Sequence, residues 1–314
     1  MQPIFLQPIF KERIWGGTKL QEEFGFAIPS DQTGECWGVS AHPNGQSIVK
    51  LGSYQGLTLG ELWEKERGLF GNIDGKTFPL LTKILDARTD LSVQVHPDDE
   101  YGKQYENGEL GKTECWYVID CEQDAEIIFG HHAKTKEQFV EMIESGQWGQ
   151  LLRKVKVSPG DFFYVPSGTI HAIGAGVLIL ETQQSSDTTY RVYDFDRVDS
   201  DGNQRELHID RAIAVSTIPH EDHVATPRIT DLPGASIVSF VEEQYFSVFK
   251  WEVRQSLTTN VKDKFLICSV IEGGGDLKIG PSTSSIVKGD HFILPANLGD
   301  VIIEGEVSLI VSHP

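Results

Sequence analysis

The stretch SVQVHPDDE, Ser92 to Glu100, reads as a strand that runs into a turn at Pro97. Side chains alternate across a strand, so Ser92, Gln94 and His96 share one face while Val93 and Val95 share the other. The valines suit a core and the polar trio suits a cavity. A buried imidazole beside a buried amide must be satisfied by hydrogen bonds or by a metal, and nothing in this short stretch satisfies both. Their partners must therefore come from elsewhere in the chain.

Two later segments offer them. In GKTECWYVID, which starts at Gly111, Lys112 and Glu114 take one strand face and Thr113 and Cys115 the other; Trp116 shares the Glu114 face. In PGDFFYVPSGTIHAIG, an apolar strand ends at a Pro166-Ser167-Gly168 turn that delivers His171. Two histidines, a glutamate and a glutamine on strands form a nitrogen and oxygen ligand set for a divalent metal. A single buried histidine is more often packed and hydrogen-bonded; two of them on separate strands with a glutamate between favour the metal. His131-His132, beside a helical excursion, reads instead as a solvated loop.

With 314 residues and 39% hydrophobic content the chain can bury a large core. Its 31 glycines and short Val/Ile/Phe runs point to a mainly β fold. A formal charge of -19 argues against nucleic acid as partner, and an anionic substrate then requires a local basic patch. Cys36, Cys115, Cys121 and Cys268 lack CxxC spacing and read as reduced thiols of a cytoplasmic protein. No signal pattern opens the chain and no run approaches the ~18 apolar residues of a membrane span, so neither export nor a membrane partner is expected.

Residues 1 to 56 read as irregular β structure. A capping box from Thr58 to Glu61 starts a helix with Leu59, Leu62 and Trp63 inward, and Gly71 closes that region. FPLLTKILDA then reads as a buried strand. A second capping box at Thr135–Gln138 marks short helices interrupting the strands, and GVLILETQQ puts Val177, Ile179, Glu181 and Gln183 on one face. LHIDRAIAVST is a helical candidate, and Pro219 to Pro233 has the composition of a linker. Gly160-x5-Pro166 recurs as Gly289-x5-Pro295, with Asn297 in place of Gly168 and Asp300 in place of His171. This predicts two tandem barrels: residues 1–231 with the metal site and a short helical insertion, and 232–314 without a metal site.

These segments resemble the cupin superfamily of jelly-roll β-barrels. Gly160-x5-Pro166-x-Gly168-x2-His171 follows the second cupin motif as far as its histidine, although Ala175 stands where that motif often has asparagine. More narrowly, PIFKERIWGG, SVQVHPDD, GKTECWYV, VPSGTIHAIG and QQSSDTTYRVYDFDR resemble, in order, the type I mannose-6-phosphate isomerases of the short bacterial kind. The resemblance implies one zinc ion held by Gln94, His96, Glu114 and His171. It implies Arg191 as catalytic, Lys112 in the active site, Arg197 near the substrate phosphate, a cavity-facing Ser92, and acidic Glu181 and Asp187 beside the site. Longer members carry a large helical insertion between the glutamate and the second histidine, for which this chain has room only for short helices.

The implied reaction interconverts mannose 6-phosphate and fructose 6-phosphate through an enediol, by proton transfer between adjacent carbons. It needs a base, a stabiliser of the enediolate and a grip on phosphate. Lys112, Glu181 and a zinc-bound water stay open as the proton carrier. Apart from the resemblance, Arg191 and Arg197 read as partners of Asp194, Asp196 or Asp199. The rival functions are another metal-dependent cupin such as an oxygenase, since two histidines and a carboxylate also suit ferrous iron, and a non-catalytic sugar-binding cupin. Oxygen consumption marks the first rival, and binding without turnover the second.

Overall fold

A computed structural model describes residues 1–198 and 202–314. Asp199, one of the acidic partners considered above, lies outside the described residues. The chain is mainly β, built from antiparallel ladders. A six-stranded sheet runs in the order Phe162–Val165, Glu114–Cys121, Val177–Gln184, Leu80–Ala87, Thr33–Val39, Ile9–Gly17. A five-stranded sheet runs Leu152–Lys156, Glu126–His131, His171–Ile173, Val93–Val95, Tyr190–Tyr193. The side chains of Leu85, Trp116, Val118, Ile127, Phe129, Val165, Ile173 and Ile179 pack together between the two sheets. The ladders stay separate instead of closing into one hydrogen-bonded ring, an open cupin-like jelly roll.

The alternation expected around His96 holds. Val93 and Val95 turn away from the interior and pack with Phe139, Met142, Ile143, Leu151 and Ala212 from the helices Lys136–Glu144, Trp148–Leu151 and Ile209–Val215. The helical excursion therefore backs the five-stranded sheet and leaves its other face to the cavity. The Thr58 capping box forms, with the Glu61 amide donating to Thr58 Oγ1 and the Thr58 amide to Glu61 Oε2. Gly71, in the left-handed region at φ 73°, ends the helical turn Arg67–Phe70 that follows.

Two helices escaped the sequence reading. Lys19–Phe24 is a short turn without a capping side chain, and Asp99–Tyr105 starts at Asp98, whose Oδ1 accepts from the Tyr101 amide at 2.8 Å. The proline that marks a turn there also precedes a good N-cap, which the reading passed over. The stretch read as a linker carries the strand Arg228–Leu232, laddered onto Ala235–Glu242. It is exposed along its length because it is a sheet edge, so it buries little that a hydrophobic pattern can register. No helix among the described residues is long and apolar enough to cross a membrane.

The C-terminal strands form one ten-stranded sheet that takes in the N-terminus, with Ile4–Gln7 between His291–Leu294 and Ile48–Val49. The repeated glycine motif marks the same turn twice. Gly160 and Gly289 both have φ +94°; the Gly160 amide donates to Val118 O at 2.8 Å and the Gly289 amide to Val270 O at 2.9 Å. The motif alignment misplaces one residue. Asp300 is exposed and takes a hydrogen bond from Asn260 at 2.6 Å, while its neighbour Val301 is the residue buried in the core.

Candidate metal centre and active-site cavity

Three strands deliver the ligand candidates. His171 lies opposite Gln94 in the five-stranded ladder, and Arg191 opposite Gln94 on its other side. Glu114 comes from the facing sheet, opposite Val165. His96 Nε2 is 3.4 Å from Glu114 Oε2, and His171 Nε2 is 3.3 Å from Glu114 Oε1. One donor atom from each of His96, Glu114 and His171 falls within 4.8 Å of the others, and all three residues are buried. The Gln94 amide lies 3.3 Å from His171 Nε2.

The outer faces of both rings favour metal binding. His96 Nδ1 lies 2.9 Å from Thr188 O and His171 Nδ1 lies 2.9 Å from Thr169 O. A carbonyl only accepts, so each Nδ1 carries the proton and each Nε2 turns a lone pair to the cluster. Burial pushes His96 down to about 3, and burial also lowers His171, so both imidazoles are neutral as a metal requires. Burial alone would raise the Glu114 carboxyl, but Lys112 and the two imidazoles hold it well below the usual carboxylate range. The donor set fits a divalent cation. The Lys112 ammonium rests on the same acceptors, 2.9 Å from His96 Nε2 and ion-paired to Glu114 Oε2. Burial opposes its charge, yet Glu114 and Glu181 outweigh burial and raise its pKa.

A cavity of about 410 Å³ adjoins the cluster, lined by Ser92, Gln94, Lys112, Glu181, Asp187 and Arg191 of the expected residues. Trp116 Nε1 donates to Glu114 Oε1 and Glu181 Oε2, each at 3.1 Å, tying the ligand to the cavity acid. Burial, followed by Glu114, raises the Glu181 pKa. Arg191 Nε donates to Ser92 Oγ at 3.3 Å, and Asp187 takes a hydrogen bond from Asn44 at 2.8 Å.

Arg197 is the exception among the expected site residues. It is not part of the cavity lining; its Nη2 binds Asp194 at 2.5 Å and its Nη1 the Asp90 carbonyl. Here the acid-pairing reading is the better one. Arg191, by contrast, is bonded to none of the acids considered for it among the described residues. His131 also differs from expectation: it is buried at 4% exposure, packed on Phe139, with Nε2 3.0 Å from Thr217 O. It sits at the end of a central strand, so only His132 keeps the solvated position.

The sequence reading missed Arg13, Glu35, Lys83 and Arg205, which also line the cavity. Glu35 accepts from Arg13 Nε at 2.9 Å and from Trp37 Nε1 at 2.5 Å, and Lys83 lies 3.5 Å from Glu181. Lys83 had a signal: it is a charge inside the otherwise apolar FPLLTKILDA, where strand alternation puts one face toward a cavity. Arg13 and Arg205 had none, since exposed-looking arginines are common in polar segments.

Two facing antiparallel sheets, with a buried His, Glu, His cluster between them that could hold a metal ion, define a protein of the cupin class. A family model described as phosphomannose isomerase type I, catalytic domain, matches residues 4–139, and one described as mannose-6-phosphate isomerase, cupin domain, matches 236–314. The mannose-6-phosphate isomerase ManA of Bacillus subtilis is 56% identical over 99% of both chains, and that of Streptococcus mutans 52% over 99% of this chain and 98% of its own. The crystal structure of the Bacillus subtilis mannose 6-phosphate isomerase, at 55% identity, superposes over 100% of both chains with a TM-score of 0.98. A Salmonella typhimurium phosphomannose isomerase, at 17% identity and TM-score 0.82, shares the fold. The chain belongs to the mannose-6-phosphate isomerase family, in its type I branch, and is an isomerase.

Proposed function

We propose that this enzyme interconverts mannose 6-phosphate and fructose 6-phosphate, with one zinc ion held by Gln94, His96, Glu114 and His171. The observation that carries the reading is the buried cluster whose two imidazoles both turn Nε2 toward Glu114 beside a cavity rich in cations. Residues 1–231 form the catalytic unit in this reading, and 232–314 a cupin-like unit without a metal. The four free thiols suit a reducing compartment, so the proposed location is the cytoplasm.

The reaction moves one proton from C2 of the aldose to C1, and a second between the oxygens on those carbons, through an enediol. Zinc, when bound, supplies Lewis-acid stabilisation to the sugar oxygens. Lys112 is the proposed proton carrier. In the ion pair with Glu114 it holds its proton. A metal held by His96 and Glu114 would take up the acceptor atoms that now support the ammonium, and a cation nearby would ease deprotonation of the amine. Arg191 offsets the charge that develops on the enediolate oxygen. Ser92 holds the Arg191 guanidinium, and Trp116 holds Glu114 and Glu181 in register. Glu181 and Asp187 are proposed to accept from substrate hydroxyls.

The test is conversion of mannose 6-phosphate by purified protein, without oxygen, before and after chelation and after zinc is restored. Loss on chelation and recovery with zinc are expected. Conversion that ignores chelation removes the metal from the reading, and zinc-loaded protein that converts nothing removes the isomerase reading itself.

A further inference from the structure

Five cationic side chains line the cavity: Arg13, Lys83, Lys112, Arg191 and Arg205. Three are ion-paired to a carboxylate, Arg13 to Glu35, Lys83 to Glu181 and Lys112 to Glu114. Among the described residues, Arg191 bonds only neutral acceptors, Ser92 Oγ at 3.3 Å and Glu206 O at 2.7 Å. Arg205 holds Asp194 through Nε at 2.7 Å and Nη2 at 2.5 Å, but Asp194 is shared with Arg197. One buried carboxylate thus serves two guanidiniums, and Arg191 has no carboxylate bonded to it among the described residues, in a chain whose overall charge is -19. Clustered like charge of this kind costs free energy until an anion compensates it.

We propose that Arg205, and not Arg197, receives the phosphate of the substrate, with Asp194 holding Arg205 in place and Arg191 left to the reacting end. This rests on the sugar-phosphate reading above and names a residue for it. Arg197 is spent on the Asp90 carbonyl and on Asp194, outside the cavity, and acts as a positioning residue through that carboxylate. The spacing suits a substrate with two functional ends. Arg191 lies opposite Gln94, and the His208 amide donates to Arg191 O on the far side of that strand at 2.7 Å. Each lateral step is about 4.8 Å. The reacting carbons at the metal edge and a phosphorus six bonds from C2 are then served from the strand Val93–Val95 and from the segment of Arg205 and His208 that lies beyond the strand Tyr190–Tyr193.

Inorganic phosphate binding, followed by calorimetry on zinc-loaded protein, reads this site without turnover, and steady-state kinetics with mannose 6-phosphate reads it in the reaction. Arg205→Gln keeps an amide donor for Asp194 while removing the charge. It is expected to weaken phosphate and to raise KM by about 10- to 100-fold, the worth of a charged hydrogen bond. Zinc content should be unchanged and kcat should stay within about threefold, as for an interaction made equally in ground and transition states. Arg205→Lys should fall between wild type and Arg205→Gln, and Arg197→Gln should cost less than Arg205→Gln in both readouts. Wild-type phosphate affinity in Arg205→Gln, or a larger loss in Arg197→Gln, overturns the assignment. Wild-type protein that binds phosphate but leaves mannose 6-phosphate unconverted sinks the isomerase reading and leaves the anion site standing.

Discussion

The two halves of the molecule run the same ladder with opposite chemistry. The order Phe162–Val165, Glu114–Cys121, Val177–Gln184, Leu80–Ala87, Thr33–Val39 is repeated by His291–Leu294, Leu266–Ile279, Gly299–His313, Ser247–Val253, Ala235–Glu242. The registers correspond pair by pair. Val165 opposite Glu114 becomes Leu294 opposite Leu266. Glu181, between Trp116 and Lys83, becomes Val311, between Cys268 and Phe249. Even the irregularities match, with a bulge after Trp37 in one half and after Ser239 in the other. The backbone therefore does not dictate a polar interior. One barrel stays filled and apolar, while the other gives up packing to hold buried charge, which is tolerable only where every charge has a partner or a ligand.

Breaking the polar half should give the largest effect. His171→Ala removes a ligand whose ring is fixed by the Thr169 carbonyl. Loss of a group that only hydrogen-bonds to a ligand already costs roughly 10- to 100-fold in metal affinity, and loss of a ligand costs more. Zinc measured by elemental analysis should fall well below one equivalent and turnover should drop to background together. A variant that keeps stoichiometric zinc ends the ligand assignment. Arg191→Ala comes next. It leaves the cluster intact, so zinc should stay while kcat falls about 10²- to 10³-fold, the usual cost of an oxyanion donor. Unchanged turnover would take Arg191 out of the mechanism.

The same comparison explains what could be read from sequence. Strand alternation alone separated Gln94 and His96 from Val93 and Val95, because a half-buried strand must sort its faces. Glu114 was legible for the same reason, and His171 through the Pro166-Ser167-Gly168 turn that delivers it. Lys83 showed as a lone charge in an apolar strand, but its partner Glu181 did not, nor did the Glu35–Arg13 pair: these partners lie far apart in sequence, and only the ladder brings them together. Arg197 lies off the cavity lining, and a polar loop says nothing about which of its arginines reaches the cavity. The repeat was legible through its glycine turn, but the step from Pro295 to the inward position is one residue longer than from Pro166, so counting put Asp300 where Val301 sits.

Leu294→Ala tests the apolar half. Leu294 is fully buried at the place that Val165 holds in the first half. The expected cost is about 2–5 kcal/mol of stability, transfer and cavity terms together. A urea titration should show a lower midpoint, while kcat/KM at 25 °C stays near wild type. A large loss of activity in the folded variant would mean that the second barrel shapes the site, contrary to the division drawn above.

The smallest effect concerns a position where the halves meet. Phe162 lies two residues after Gly160 and stacks on Phe240 across the interface at 4.6 Å. Its counterpart, two residues after Gly289, is His291, and the counterpart of Phe240 is Gly38, where an added Cβ would fall 2.4 Å from the His291 ring. The repeat thus makes the same contact twice, once with two rings and once with a ring against bare backbone. His291 Nδ1 lies 2.8 Å from Ser269 Oγ, Nε2 has no hydrogen-bond partner among the described residues, and burial pushes its pKa down to about 4. Its pKa is near 6.5 when unfolded, so below that pH the unfolded chain takes up a proton that the folded one refuses. The neutral ring's contribution is complete above pH 6.5 and is lost progressively as pH falls toward 4. At pH 5.5 the loss is about 1 kcal/mol. His291→Gln forfeits packing at every pH but cannot titrate, so its urea midpoint should fall less between pH 8 and pH 5.5 than the wild-type midpoint does. Equal falls in the two proteins would show that the acid sensitivity arises elsewhere, and that this mismatch between the halves is one of shape alone.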